Sequence, residues 1–574
     1  MVLYALATVW VVRVPFPYDL EWMEGGMLAH AWRVQQGLPL YGEPGPEFIP
    51  FVYPPGFAVL LAHLGSLTEL GYTLGRVLSL TGAVAAAAAI VFVVRREHPS
   101  WGPPIAAAVA FLACYPGSGA FYDLVRPDGM FIGLLAWAIA LGLVQRRGAA
   151  EAAGLVLCLA FIFKHNAAIF GIPIGLGIWA RDGWRTAARF AAASAGPALT
   201  FVVGMQIGTS GRFLDYILTV PGSHPQVGAR IWPGTPWELA GQLPVALLVA
   251  TGFLVWRAHG YPGRNRLAWL VPLGIGAFLT ALFFESAAPI TWIDLPDRKD
   301  PPLDHVVHGL FSIGLPRVHG IGKFGPVLSA IGIGCVGAAL AAGVVQLVGL
   351  VRRRRMPWRW VYGVGVAATA LLAVGLMRGH HGGFLNVTMP LHLVTAMAFG
   401  VVIARQRRLT PTGATFAIGA VLLAGQLLFQ WSRFDTDKYK PLPGDREAGD
   451  RVVEALRGVQ APVLSPYSPW LPVQAGHEPS FHLIALWDVD HEGGPFEYGA
   501  QAVRAAVADH HYGTIVDGQR GMAFGVKRHY KLAERLPVKK GELMPKTGWR
   551  NRAATILVPR KTVRRVRSAA TEDG

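Results

Sequence analysis

Apolar stretches separated by short polar breaks run from the first residue to about position 435. Runs of about 17–25 apolar residues read as membrane-crossing helices. They fall near 1–14, 75–94, 103–120, 129–145, 152–163, 167–180, 188–208, 239–256, 267–285, 326–350, 360–377, 388–404 and 413–431. The pattern therefore predicts an α-helical polytopic membrane protein with about 13 transmembrane helices. The first span is short: twelve apolar residues precede Arg13. They reach only about 18 Å of a hydrocarbon core about 30 Å thick. Either the chain starts further upstream or this helix is thinly anchored. No cleaved signal peptide is expected, because no basic n-region or small-residue cleavage site is present. Residues 152–180 form two short apolar halves around Lys164-His165-Asn166. Breaks of this kind usually line a cavity or a substrate path.

The breaks alternate in character. One set is basic: Arg95 and Arg96; Arg146 and Arg147; Arg181, Arg185 and Arg189; Arg257, Arg264 and Arg266; Arg352 to Arg355 with Arg359; Arg405, Arg407 and Arg408. The other set holds acids and histidines. Basic loops stay inside, so the acidic loops face out. An odd number of spans then puts the C-terminal part outside the cell (inner) membrane.

Beyond about residue 435 the character changes. Asp445 reads as the N-cap of a helix over 446–457 closed by Gly458. Short β-like runs follow at APVLSP, GTIVDG and ATILVP. The expected division is a 1–435 transmembrane catalytic domain, with its first outer loop at 15–74, and a 436–574 small C-terminal extracytoplasmic α/β domain. The basic tail from Lys561 to Arg567 reads as a solvated end.

Composition sharpens this picture. Of 574 residues, 52% are hydrophobic and 15% charged, against about 25% charged in soluble proteins. A soluble enzyme and a disordered chain are both excluded. The net charge of +17 would suggest nucleic acid in a soluble protein. Here the basic residues sit at alternate junctions, so the charge reports topology and no nucleic acid partner is expected. Cys114, Cys158 and Cys335 all lie in apolar runs, which leaves no disulfide framework or CxxC metal site.

The candidate chemistry sits in the outer loops. The first carries Asp19, Glu21 and Glu24 within six residues. Crowded carboxylates beside an apolar slab raise one another's pKa, which suits a general base. Glu21 and Glu24 would share a face if the segment is helical. An amphipathic helix lying on the membrane is the competing reading. FVYPPGF supplies a rigid turn at Tyr53-Pro54-Pro55, and FYDLVRPDGMF packs Asp123, Arg126 and Asp128 between two spans. A local salt bridge would account for the latter as well. Lys164 is a charge inside an apolar stretch and marks a functional site by default, with snorkelling to the surface as the alternative. His165 and Asn166 flank it. Further outer junctions hold Arg212, Asp215 and His224, then Arg378, His380, His381 and Asn386. The paired histidines lack a third ligand at metal spacing. Arg, His, Asn and glycine N–H groups fit an anion better. No Walker loop, GxSxG elbow or HExxH is present, so the energy for any reaction must come from the substrate.

The acidic motif after the first helix, the aromatic-Pro-Pro segment and the interfacial helix ending in Arg-Arg resemble the GT-C superfamily of membrane glycosyltransferases. The similarity is greatest to the bacterial branch with the protein O-mannosyltransferases and the lipid A aminoarabinose transferase. RPDG, FKHN and the late GG…N…P segment fit that branch. The family's acidic pair is often adjacent, whereas here it is split as Asp19-Leu20-Glu21, and the outer insertion at 286–323 has no counterpart. The resemblance implies a bacterial inner-membrane transferase moving a hexosyl or pentosyl group from a polyprenyl-phosphate donor to a lipid, glycan or protein acceptor, with inversion. It implies no required cofactor; a divalent metal is possible but not indicated. Asp19 is the expected base, with Glu21 and Glu24 as alternates. Lys164, Arg126 and Arg378, with His380 or His381, are the expected phosphate contacts, while Asp123 and Asp128 bind sugar hydroxyls or orient the arginine. A flippase for lipid-linked sugars and a non-catalytic envelope assembly subunit are the rival functions.

Overall fold

A computed structural model describes residues 1–250 and 358–560, apart from 229, 381, 491–493, 520, 522 and 523 and the side chains of 232 and 233. The expected spans at 267–285 and 326–350, the end of 239–256, the 286–323 insertion, Cys335, His381 and the tail lie outside these residues. Within them the protein is mostly helical and multi-pass. Five helices are long and apolar enough to cross a membrane: Tyr72–Arg95, Trp184–Gly208, Trp358–Gly379, Leu385–Leu409 and Gly413–Ser432.

The first nine helices build the framework of the site. They are α1 (Val2–Arg13), α2 (Glu24–Gln35), α3 (Gly56–Leu67), α4 (Tyr72–Arg95), α5 (Gly102–Leu112), α6 (Asp128–Gly142), α7 (Ala149–Phe163), α8 (Gly171–Asp182) and α9 (Trp184–Gly208). The first span is indeed short, with 12 helical residues. Helix α5 stops at Leu112, well before the expected boundary at 120. Pro116 and Gly117 follow, and Gly119 and Ala120 take left-handed conformations at φ of 67° and 62°, which no α-helix continues through. The Lys164-His165-Asn166 break is real. Lys164 has an extended backbone, and a 3₁₀ turn, His165–Phe170, separates α7 from α8. Arg181, at the end of α8, donates to the carbonyls of Gly142 and Val144, beside the start of α7. Helices α7 and α8 therefore run in opposite directions, with the break at their shared tip.

Helices α4 and α6 meet backbone to backbone. A Cβ on Gly129 would lie 2.1 Å from the Ser79 carbonyl oxygen, and one on Gly82 would lie 2.1 Å from that of Gly129. Small residues permit such contacts between membrane helices. Ser79 also donates to the Arg126 carbonyl at 2.7 Å, so the contact fixes the RPDG junction. Gly129→Ala is expected to cost about 1–3 kcal/mol by overpacking, measured as a lower unfolding temperature in detergent.

The C-terminal residues form an α/β unit. Helix Asp445–Arg457 precedes a four-stranded sheet of order β1-β2-β4-β3. In it β1 (Val463–Leu464) is parallel to β2 (Thr514–Gly518), whereas β4 (Ala553–Pro559) is antiparallel to both β2 and β3 (Tyr530–Arg535). Three of the strands are those the apolar runs predicted. Asp445 is the first helical residue, not the cap. Gly444 precedes it at φ 89°, and the Asp445 carboxylate instead accepts from Leu442 and Leu543 N–H and pairs with Lys546 at 3.0 Å. The unit sits on the first loop. Lys546 N–H donates to the Leu20 carbonyl, Tyr18 donates to Asp450, and His482 Nε2 bonds the Trp22 carbonyl at 2.7 Å.

Candidate active site

Two fully buried ion pairs hold the first loop on the helices. Arg13, at the end of α1, pairs with Asp123 at 2.7 Å, and Tyr115 donates to the same carboxylate at 2.8 Å. Arg76 on α4 pairs with Glu24 at 2.7 Å and also donates to the carbonyls of Arg13, Phe16 and Tyr18. Glu24 further accepts from the N–H groups of Leu20, Glu21 and Val125. Burial opposes its charge, but the Arg76 guanidinium and these N–H donors hold it below the usual carboxylate range. Three expectations are corrected here. Glu24 has no lone pair left for an acceptor proton, and Asp123 is bound to Arg13, whereas Arg126 pairs with Glu21 and Asp128. Glu21 and Glu24 do not share a helical face either, because α2 begins only at Glu24 and Glu21 bridges to Thr547.

The chemistry-bearing residues converge around Arg126. Its Nη2 donates to the Tyr53 hydroxyl at 2.8 Å, and its guanidinium lies 3.6 Å from Glu21 and 3.8 Å from Asp128. The Asp128 Oδ1 accepts from Lys164 Nζ at 2.6 Å and from Asn386 Nδ2 at 2.7 Å. Four loops thus meet in one buried cluster. Asp128 opens α6 directly after Pro127, and Lys164 caps the end of α7. Each charge sits at the helix end whose dipole favours it. Lys164 is paired and buried, so it does not snorkel. Among the described residues, four buried polar atoms here have no hydrogen-bond partner: Arg126 Nε and Asp128 Oδ2, which face each other at 3.8 Å, with His165 Nδ1 and Asn166 Oδ1. Buried polar groups are normally satisfied. A concentration of unmet donors and acceptors around two cations suits a polar anionic ligand.

Burial pushes the Glu21 carboxyl up to about 8, against the pull of Arg126 and with help from Glu24. Below that pH the cluster carries two cations against one carboxylate. Asp19 lies apart from it. Its Oδ1 accepts from Gly25 N–H and Tyr72 OH, each at 2.9 Å, and burial followed by Glu24 raises it to about 7. It forms no ion pair among the described residues.

The remaining sequence candidates separate into two outcomes. Arg378 chelates Glu238 at 2.7–3.0 Å and donates to the Gly383 carbonyl at 2.6 Å. Its guanidinium is committed to that pair, which corrects the expected phosphate contact. His224 Nδ1 lies 2.9 Å from His380 Nε2, and His224 Nε2 lies 2.9 Å from the Asp488 carbonyl. Among the described residues no group of three or more His, Cys, Asp or Glu side chains is arranged to hold a metal. Sequence reasoning missed Asp488, which burial raises to about 7 against the pull of Arg126. It also missed the indoles of Trp22, Trp487 and Trp549 beside Glu21. Nothing in ALWDVDH signals proximity to a loop more than 350 residues earlier.

Residues 51–293 match the family model for glycosyltransferase family 87. Among solved structures, the chain resembles ArnT from Cupriavidus metallidurans bound to undecaprenyl phosphate. That likeness has 14% identity, covers 97% of each chain and scores a TM of 0.45. The same protein in the apo state gives 13% identity over 97% of this chain and 96% of that one, at 0.42. The archaeal oligosaccharyltransferase AglB from Archaeoglobus fulgidus, in complex with an inhibitory peptide and a dolichol-phosphate, gives 10% identity over 84% of this chain and 64% of that one, at 0.41. No curated protein matches the chain.

Proposed function

We propose that the chain, whose residues 51–293 match glycosyltransferase family 87, is a membrane glycosyltransferase of the GT-C superfamily that moves a sugar from a polyprenyl-phosphate donor to an acceptor hydroxyl at the outer membrane face. The observation that carries this reading is the buried Arg126–Asp128–Lys164–Asn386 cluster with Tyr53 and Glu21 at its edge. Arg126 and Lys164 hold the donor phosphate and stabilise the charge that develops on it. Asp128 and Asn386 orient the lysine, and the unsatisfied atoms of His165 and Asn166 meet polar groups of the donor. The acceptor oxygen forms its bond to the anomeric carbon from the face opposite the phosphate, which inverts that carbon. The carbon–phosphate oxygen bond breaks and its electron pair leaves with the phosphate. The acceptor's proton passes to a carboxylate.

That carboxylate is Glu21 rather than Asp19. A phosphate on Arg126 puts the anomeric carbon one bond away, and Glu21 is the first-loop carboxylate that touches Arg126. Asp19 serves to hold Gly25 and Tyr72. The phosphate needs no strong acid to leave.

The outer face, the thirteen spans and the 436–574 domain belong to the same reading, supported by the alternation of basic and acidic junctions. Lys531 lies on an exposed stretch of β3. A Cys placed there is expected to react with an impermeant maleimide in intact spheroplasts. Protection until lysis overturns the orientation. The reaction itself is tested in detergent with a radiolabelled polyprenyl-phosphate sugar; a flippase gives no product there, only translocation in vesicles. Lys164→Ala is expected to weaken donor binding by about 1.5–3 kcal/mol, the worth of one charge-assisted contact, with less effect on turnover at saturation. An unchanged donor affinity removes Lys164 from the phosphate site.

A further inference from the structure

Helix Leu483–Val489 of the C-terminal unit brings two further side chains to the edge of this cluster. Trp487 is 44% exposed, yet its ring lies against those of Trp549 and Trp22 at centroid distances of 5.3 and 6.1 Å. Trp22 and Trp549 meet edge to face at 5.2 Å, with Tyr467 5.7 Å from Trp549. A single exposed indole is ordinary. An exposed indole backed by two others is a rigid apolar shelf. The shelf abuts Glu21, because a Cβ on Gly548 would lie 2.7 Å from both the Glu21 carboxylate and the Trp22 ring. Asp488 follows Trp487 in the chain, with its carboxylate 4.0 Å from His224 Nε2, and burial raises it to about 7 against the pull of Arg126.

We propose that the Trp487 shelf with Asp488 is the acceptor subsite, and that the acceptor is itself a carbohydrate whose pyranose ring lies on the Trp487 indole. This rests on the transferase reading above. An indole offers a large rigid face at little entropic cost. The C–H face of a pyranose is apolar while its rim is hydroxylated, so a flat aromatic beside a carboxylate matches both. Arg126 and Lys164 hold the phosphate beside Glu21, and Trp22 of the shelf packs near the same carboxylate. An acceptor hydroxyl between them meets the base.

The test uses the full chain in lipid nanodiscs with methyl α-D-mannopyranoside and methyl β-D-glucopyranoside as probes, read by saturation-transfer NMR at the ring C–H protons. At least one probe is expected to bind. Its signal is expected to fall about two- to tenfold in Trp487→Ala, the worth of one aromatic stacking contact, and to persist in Trp487→Phe. It is also expected to persist in Trp101→Ala, where Trp101 is 57% exposed beside the basic Arg95. Absence of binding by both probes, or an undiminished signal in Trp487→Ala, overturns the shelf. Donor turnover is measured in the same preparations. Pyranoside binding lost in Trp487→Ala without any transfer from a polyprenyl-phosphate sugar sinks the transferase reading and leaves the shelf. Transfer whose acceptor KM ignores Trp487→Ala sinks the shelf and leaves the transferase.

Discussion

Glu21→Gln is expected to lower kcat about 10²–10⁴-fold, the usual worth of a general base, while leaving donor affinity nearly unchanged. Glutamine keeps the side chain's shape and its bond from Met23 N–H, but it cannot take the acceptor's proton. The carboxyl lies beside Arg126 and is pushed up to about 8 by burial. A base works only when ionised, so activity should rise with pH through about 8. That acidic limb should vanish in the Gln variant. Asp19→Asn should cost far less, because its contacts to Gly25 and Tyr72 need an oxygen acceptor and no charge. Single-turnover assays across pH 6–9 decide it. A dead Asp19→Asn beside an active Glu21→Gln returns the base to Asp19, and full activity in both removes the first loop from the chemistry.

Arg76→Met is expected to destabilise the protein by about 3–5 kcal/mol, the cost of stranding one member of a buried ion pair. Both side chains are fully buried, so water cannot replace the guanidinium. Three loop carbonyls also lose their donor. Thermal unfolding in detergent should show an early loss of structure around the first loop. Adding Glu24→Gln removes the stranded charge and should restore part of the loss. If the double variant is no more stable than Arg76→Met alone, the cost lies in the carbonyls and not in the charge. Neither change touches Arg126 directly, so protein that does fold should retain donor binding.

Several features were legible in the chain alone because they are local. Apolar runs of membrane length report membrane-crossing helices without knowledge of partners. The polar triplet at 164–166 marked a break because a charge cannot sit unpaired in an apolar helix. Three strands announced themselves as short apolar runs between turn residues. Arg126, Asp128, Lys164 and Asn386 were singled out because polar residues at span ends are costly unless used. The tertiary structure decided what each of these groups touches. Charge and spacing made Asp19, Glu21, Glu24 and Asp123 look alike, and Arg126 and Arg378 likewise, yet Arg13 consumes Asp123, Glu238 consumes Arg378, and Arg76 consumes Glu24. Among the described first-loop carboxylates, Glu21 alone pairs with Arg126. Trp487 and Asp488 join the same neighbourhood from the far end of the chain. An ion pair's partner is set by the packing of helices distant in sequence, and periodicity carries no information about that.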